Sequence, residues 1–321
     1  MVNDARFTPR ACPACASTAG IPLLELRAQD FCAPNFTYRS DYPAILGVSP
    51  ESRYPIGRCG ACGFVYAAFL PDAAFLALLY EKVIRHEDNV AHNEAHASYA
   101  RRMSYVAALL ALAPSGRRLR ALDFGCGIGT TLRLLRAADV QGVGYDFSAV
   151  RSKHVASADL YVVADEAALA RAGPFDLLVC DNVIEHLGNP LETLRMLASL
   201  ATHGALLYVS VPNSDAAYIS TQVRCLREGT PVDMSFNPWE HLNYFDTDHL
   251  DQLLGRAGFV PIPSTDPGQS VDIGLRAEQN RIARIKNAAA SGFRLIGYAL
   301  NGKALSNPNH RFYRLSDRAS Q

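Results

Sequence analysis

Apolar side chains recur along this chain at two different spacings. Residues 119–124 form a short apolar run that ends at glycine, which predicts a strand, and residues 130–137 repeat apolar positions every three or four residues, which predicts a helix. The alternation continues with strands expected at 142–146 and 161–165, a fourth strand opening the run 175–187, a helix from Asn189 and Pro190 through Leu200, and a strand over 204–213. Asp246 or Thr247 then caps a helix over 250–257, and a sixth strand is expected at 258–261. Strand and helix in turn over 117–265 predict an α/β fold, a mainly parallel sheet with helices on both faces. Upstream, residues 72–113 read as helical, through Ala73 to Tyr80 and again through Tyr99, Met103, Val106 and Leu110. Downstream, 275–300 reads as one or two basic amphipathic helices, with Arg276, Arg281, Arg284, Lys286 and Arg294 among Ile282, Ile285, Leu295 and Ile296. Residues 311–315 are a candidate closing strand. The expected organisation is a small unit over 1–70, a helical linker or lid over 71–116, and a main domain over 117–321 with a helical insertion at about 275–300.

Composition narrows the class of function. The chain has 321 residues, 49% of them hydrophobic, with 31 basic and 31 acidic residues. A balanced charge gives no sign of a surface built for phosphate backbones, so no nucleic-acid partner is expected. No apolar run approaches the roughly 20 residues of a membrane span, and no apolar signal core follows the first residues. A cytoplasmic location and a small-molecule partner are the expectation; a homodimer is compatible with the sequence, and the basic helices over 275–300 suit a lid, a subunit contact or a membrane surface.

Cysteine spacing adds a metal. Cys12 and Cys15, and Cys59 and Cys62, form two C-x-x-C knuckles, the second with glycine after each cysteine. Two such knuckles supply four sulfurs in the manner of a closed structural zinc site, with free thiols or a redox pair as the alternative. The stretch between them is too short to bury a core unaided, so the metal would supply folding energy. Cys32, Cys126, Cys180 and Cys225 have no such partners in sequence. His92 and His96 would share a helix face, but Asn93 stands where the zinc-protease pattern needs glutamate; a solvated face or a lid is the reading there, and Tyr80, Tyr99 and Arg102 are candidates to line a cleft.

The strand-to-helix turn at 122–130 reads Leu-Asp-Phe-Gly-Cys-Gly-Ile-Gly-Thr, with Gly125, Gly127 and Gly129 at alternate positions. Glycine there lets a ligand reach bare backbone, and the helix beyond offers unpaired N–H groups. The form D-x-G-x-G-x-G, the acidic Asp146 ending the next strand, Asp165 ending the third, and the run Phe-Asp-Leu-Leu-Val-Cys-Asp-Asn-Val-Ile-Glu-His-Leu over 175–187 together resemble the class I S-adenosylmethionine (SAM) dependent methyltransferases. The resemblance implies a Rossmann-like methyltransferase sheet preceded by a zinc-ribbon-like module. It implies SAM held by Gly125, Cys126, Gly127 and Gly129, with Asp146 at the ribose, Asp165 near the adenine, Asp123 and Asp181 fixing the loop or the methionine amino group, and Phe147, Glu166 and Asn182 among the cofactor-binding residues. Ligands of such sheets sit beyond the carboxyl ends of the strands, so His186 and the Pro212-Asn213 exit are expected around the same crevice.

The pairing with a four-cysteine module is similar to the sugar C-methyltransferases of deoxysugar and natural-product pathways, over residues 10–265 or so, although those enzymes carry a further C-terminal domain that this chain stops short of. The stretch Pro-Trp-Glu-His-Leu-Asn-Tyr-Phe-Asp over 238–246 resembles one that closes their substrate side. His241 is the first candidate for a base, His186 the second, with Tyr244 as an orienting or phenolate group and Glu240 beside them; Trp239 and Phe245 as core and His241 as a turn cap is the alternative. The implied function is methyl transfer to carbon or oxygen of a sugar, nucleotide-sugar, glycan or secondary metabolite. The competing reading is a zinc-ribbon binding module whose methyltransferase-like domain acts on RNA or serves as a scaffold.

Overall fold

The computed structural model describes residues 4–31, 41–83, 96–114, 116–163, 165–230, 232–233, 235–262 and 309–316. Tyr38, Cys32, His92 and the basic segment 275–300 lie outside them. The strands, in chain order, are β1 (Phe7–Pro9), β2 (Gly20–Arg27), β3 (Arg53–Cys59), β4 (Val65–Ala67), β5 (Phe69–Pro71), β6 (Arg120–Phe124), β7 (Gln141–Tyr145), β8 (Val162–Val163), β9 (Phe175–Asp181), β10 (Ala201–Ser210), β11 (Asn243–Tyr244), β12 (Phe259–Pro261) and β13 (His310–Leu315). The chain divides into two compact units, the first built from 1–85, 184–192 and 211–253, the second from 86–183, 193–210 and 254–321.

The second unit holds a seven-stranded sheet in the order β12-β13-β10-β9-β6-β7-β8. Its strands run parallel from β10 to β8, and β13 is antiparallel to both β10 and β12. This is the mainly parallel α/β sheet that the sequence predicts, with 310–315 as its closing strand, here antiparallel. Strands covered on both faces are mainly apolar: Phe175 to Cys180 of β9 are all buried, with the one charged side chain among them, Asp176, paired with Arg117, and Asp181 at the carboxyl end is partly open. The chain leaves β6 outward to β7 and β8, then returns on the other side to β9. The switch point therefore lies between the carboxyl ends of β6 and β9, where Gly125 to Gly129 and Asp181 to Val183 emerge. The helix His96–Leu112 packs its Tyr105, Val106 and Leu109 into the core of this unit, stacking Tyr105 on Tyr208 of β10 at 4.0 Å between ring centroids.

The first unit is built on the antiparallel sheet β11-β4-β3-β2, with β1 and β5 as a separate pair. Its core is aromatic: Phe7, Tyr54, Phe69 and Phe75 pack with Trp239, whose ring meets Tyr54 edge-on at 5.6 Å and Phe75 at 5.7 Å. The sequence left this unit short of a core; the returning segment 211–253 supplies the missing part, with Ile219, Phe236, Trp239, Leu242 and Tyr244. Arg10 locks that return, donating to the carbonyls of Ala67, Gly188 and Leu242 and to Asn243 Oδ1. Among the described residues no helix is long and apolar enough to cross a membrane.

Candidate functional site

In the second unit, Gly125, Gly127 and Gly129 all take left-handed backbone, at φ of 78°, 55° and 77°. Gly125 and Cys126 donate to the Tyr145 carbonyl at 2.7 and 3.0 Å, which ties the loop to the end of β7. Asp146 closes it from the same side: Oδ2 accepts from Gly127 N at 2.9 Å and Oδ1 from Ser148 N at 2.8 Å. Burial raises the Asp146 carboxyl, against Arg151 and these two N–H groups. The cradle at Gly127 is open, since a Cβ there would meet nothing within 4 Å. Next to it the Phe147 ring is 62% exposed, edge-on to Tyr145 at 5.3 Å and Phe124 at 5.7 Å.

Asp123 is buried, and its Oδ2 has no hydrogen-bond partner among the described residues. Burial, then the charge of Asp181, pushes its pKa up to about 8. A buried orphan acceptor costs free energy unless a ligand supplies the donor. Its neighbour Asp181 is held differently. Arg101 grips both its oxygens, at 2.5 and 2.9 Å, with Arg102 at 3.8 Å and the Tyr105 hydroxyl at 3.5 Å. Burial alone would raise Asp181, but the two arginines hold it below the ordinary carboxylate value. Asn182, at φ 54°, is exposed. Asp165 caps the helix Glu166–Ala172 by accepting from Ala168 N at 2.6 Å. Sequence reasoning named Arg102 but missed Arg101 and Tyr105; the signal was two adjacent arginines in an otherwise apolar helix, which demand an acid.

The first unit brings together two other groups. Cys12 Sγ lies 3.7 Å from Cys62 Sγ, Cys15 Sγ lies 3.5 Å from Cys59 Sγ, and all four sulfurs fall within 4.8 Å of one another. A tetrahedral ion with bonds of about 2.3 Å sets sulfurs about 3.8 Å apart, so these four fit zinc. The knuckles are shaped by backbone: Gly63 N donates to Cys59 O and Ala16 N to Cys12 O. Burial would raise the Cys59 thiol, but the N–H groups of Cys62 and Ala61 outweigh it and bring it down to about 6. His249 braces the second knuckle, one ring nitrogen 2.9 Å from the Cys62 carbonyl and the other 2.7 Å from Asp246.

The second group is Glu185, His186 and His241, whose side-chain donor atoms also lie within 4.8 Å of one another. The two imidazoles meet edge-on at 4.6 Å. Burial, then the charge of His186, pushes His241 well below its ordinary value, so its ring is neutral. Burial raises Glu240 to about 8, and its Oε1 accepts from Asn237. Tyr244 sits in the core, where burial pushes its phenol far up and keeps the proton on it.

The methyltransferase-domain family matches residues 95–263, just over half of the chain. The ubiquinone biosynthesis O-methyltransferase of Methylococcus capsulatus is 29% identical over 216 residues, covering 61% of this chain and 87% of that protein. The protein of the same name from Xanthomonas campestris is 30% identical over 137 residues, 40% of this chain and 56% of its own length. Among solved structures, a plantazolicin methyltransferase in complex with a triazolic analogue and S-adenosylhomocysteine (SAH) is 12% identical, covers 70% of this chain and 87% of its own, and has a TM-score of 0.47.

Proposed function

Because this chain belongs to the methyltransferase-domain family, matched over residues 95–263, we propose that it moves a methyl group from SAM to a small-molecule acceptor and that the loop Gly125 to Gly129 holds the donor. The observation that carries the reading is the loop itself: three left-handed glycines closed by Asp146, next to a buried carboxylate oxygen that has no donor among the described residues.

SAM, when bound, supplies a methyl already activated on a sulfonium, so the chain has only to align the partners, exclude water and remove a proton where the acceptor carries one. The loop N–H groups, with Cys126 between the glycines, take the methionine and ribose end. Asp146 accepts from the ribose hydroxyls, Phe147 offers a ring face to the adenine, and Asp165 and Glu166 take its edge. Asp123 accepts from the methionine ammonium, while Asp181, already gripped by Arg101, and Asn182 brace the loop. For proton removal the groups with suitable chemistry are His241 and His186, with Glu240 beside them and Tyr244 as a donor that orients. Zinc on Cys12, Cys15, Cys59 and Cys62 is structural, since four thiolates leave no open position.

The acceptor is proposed to be a sugar, nucleotide-sugar, glycan or secondary metabolite, methylated on oxygen or carbon. The two reported relatives are named O-methyltransferases, which favours a hydroxyl. The test is a thermal-shift screen of SAH-saturated protein with nucleoside diphosphates, nucleotide-sugars and phenols. Stabilisation by one class identifies it, because a ligand that binds only the folded state raises the melting point by mass action. Asp146→Ala is expected to weaken SAH by about 10-fold or more, roughly 1.4 kcal/mol, with zinc content unchanged. Equal affinity in a calorimetric titration would remove Asp146 from the site.

Asp123 makes a separate, pH-dependent prediction. A carboxyl whose folded pKa is raised to about 8 is mostly protonated at neutral pH. A cationic ammonium favours its ionised form, so SAH binding releases a proton and tightens as pH rises toward 8, by roughly 10-fold or more from pH 6. In the ligand-free protein the sign is opposite: with its folded pKa raised above the unfolded one, Asp123 makes the fold less stable as pH rises from the unfolded value of about 4, and the loss is complete above about 8. Asp123→Asn flattens both profiles. A wild-type SAH affinity that does not change between pH 6 and 8 would contradict the assignment.

A further inference from the structure

Glu185, His186 and His241 are more than three polar neighbours. Two imidazoles and one carboxylate are the donor set that suits first-row divalent metals, and their donor atoms converge within 4.8 Å, with His186 Nε2 3.8 Å from Glu185 Oε1. The Cys12, Cys15, Cys59 and Cys62 cluster is distinct from it, with no ligand shared.

The surroundings are built to aim these nitrogens. His186 Nδ1 lies 2.9 Å from the Glu240 carbonyl, which places the ring proton on Nδ1 and leaves the Nε2 lone pair facing the cluster. Metal-binding histidines are characteristically oriented by a carbonyl on the other ring nitrogen, which fixes tautomer and direction together. The backbone that carries the three residues is fastened too: Leu242 N donates to Glu185 O at 2.8 Å, and Asn243 Nδ2 to the carbonyls of Ile184 and Leu187 at 3.0 and 2.8 Å. His241 N donates to Asn237 O at 2.8 Å. Two segments far apart in sequence are thus held in fixed register, with the carboxylate 1% exposed and both imidazoles half-buried.

We propose that Glu185, His186 and His241 form a second metal site, for a single divalent transition cation, separate from the four-cysteine site. Bonds of about 2.0 to 2.2 Å set such ligands roughly 3 to 3.5 Å apart, so the cluster closes by about an ångström on binding. Three protein ligands leave coordination positions open, as in sites that hold water or an oxygen ligand, and not as in closed structural sites. A histidine that ligates a cation has its lone pair engaged, so with a cation in place neither His241 nor His186 would be a free base. The site is proposed from the first unit's own residues, and its readout is binding, so it stands or falls independently of the acceptor.

The experiment is a titration of the zinc-loaded full chain with Co²⁺, followed by visible absorption and by elemental analysis after desalting. One additional equivalent of cobalt per chain is expected, with weak ligand-field bands and no intense near-ultraviolet thiolate-to-cobalt band. Glu185→Gln and His241→Asn are expected to lose at least about 10-fold in cobalt affinity while keeping wild-type zinc content and SAH affinity. Glu185→Gln preserves shape, so it separates loss of a ligand from loss of fold. No additional equivalent at millimolar Co²⁺, or the same uptake in both variants, overturns the proposal. Uptake that appears only with the thiolate band overturns it as well, since the metal is then on the cysteines.

Discussion

Gly125→Ala is expected to abolish measurable SAH binding, a loss of at least about 100-fold or 2.8 kcal/mol, and to lower stability by roughly 2 to 4 kcal/mol. The backbone at Gly125 is at φ 78°, which an L side chain adopts only under strain. The added Cβ would also stand 2.3 Å from Val183 Cγ2, well inside contact distance. Val183 follows β9 and cannot retreat into empty space, because it is itself buried. The loop must therefore move, and moving it breaks the bond from Gly125 N to the Tyr145 carbonyl. Adding Val183→Ala removes the clash but not the strain, so the double variant should recover part of the stability and less of the affinity. Gly116→Ala is the control, since Gly116 also has a positive φ, of 96°, with nothing within 4 Å of its Cβ. Wild-type SAH affinity in Gly125→Ala would show that the ligand does not approach this loop.

Cys59→Ser is expected to abolish the zinc binding proposed for the four thiols and to melt the first unit, with the first thermal transition falling by roughly 10 °C or more. Binding energies of structural zinc are on the order of 10 kcal/mol, and they are folding energy wherever the site is absent from the unfolded chain. Cys59 ends β3, and its partner Cys15 precedes β2, so an ion held by these sulfurs would tie together the two strands whose register runs from Gly20 opposite Cys59 to Arg27 opposite Arg53. Chelation of the wild type should reproduce the melt, and returning zinc should reverse it only in the wild type. One zinc per chain in Cys59→Ser, with an unchanged melting curve, would leave the four thiols without a structural role.

Local features were legible in the sequence. Glycines at alternate positions, acidic residues at strand ends and paired cysteines each announce their chemistry within a few residues, and β6 and β9 follow from apolar runs bounded by breakers. What escaped is long-range. Arg101 meets Asp181 across 80 positions, and no local pattern says which acid a helical arginine will find. β11 is only two residues long, too short for any periodicity, and its partner is fixed by Asn243 opposite Tyr66 and Tyr244 opposite Val65. Glu185 passed as part of a strand-exit motif because its meeting with His241 depends on that same return of the chain.

The pairing of β11 with β4 also orders events while the protein is being made. Residues 4–83 leave the ribosome with both cysteine knuckles present, so the ion can bind early. The open edge of β4 and the place of Trp239 among Tyr54 and Phe75 are filled only when residue 244 has emerged. By then β6 to β10 have been synthesised, yet their sheet still awaits β13 at 310–315. The nascent chain therefore carries two half-built units at once, each waiting for a segment encoded beyond the other, and a translational pause between residues 83 and 244 would hold an unfinished aromatic core in water.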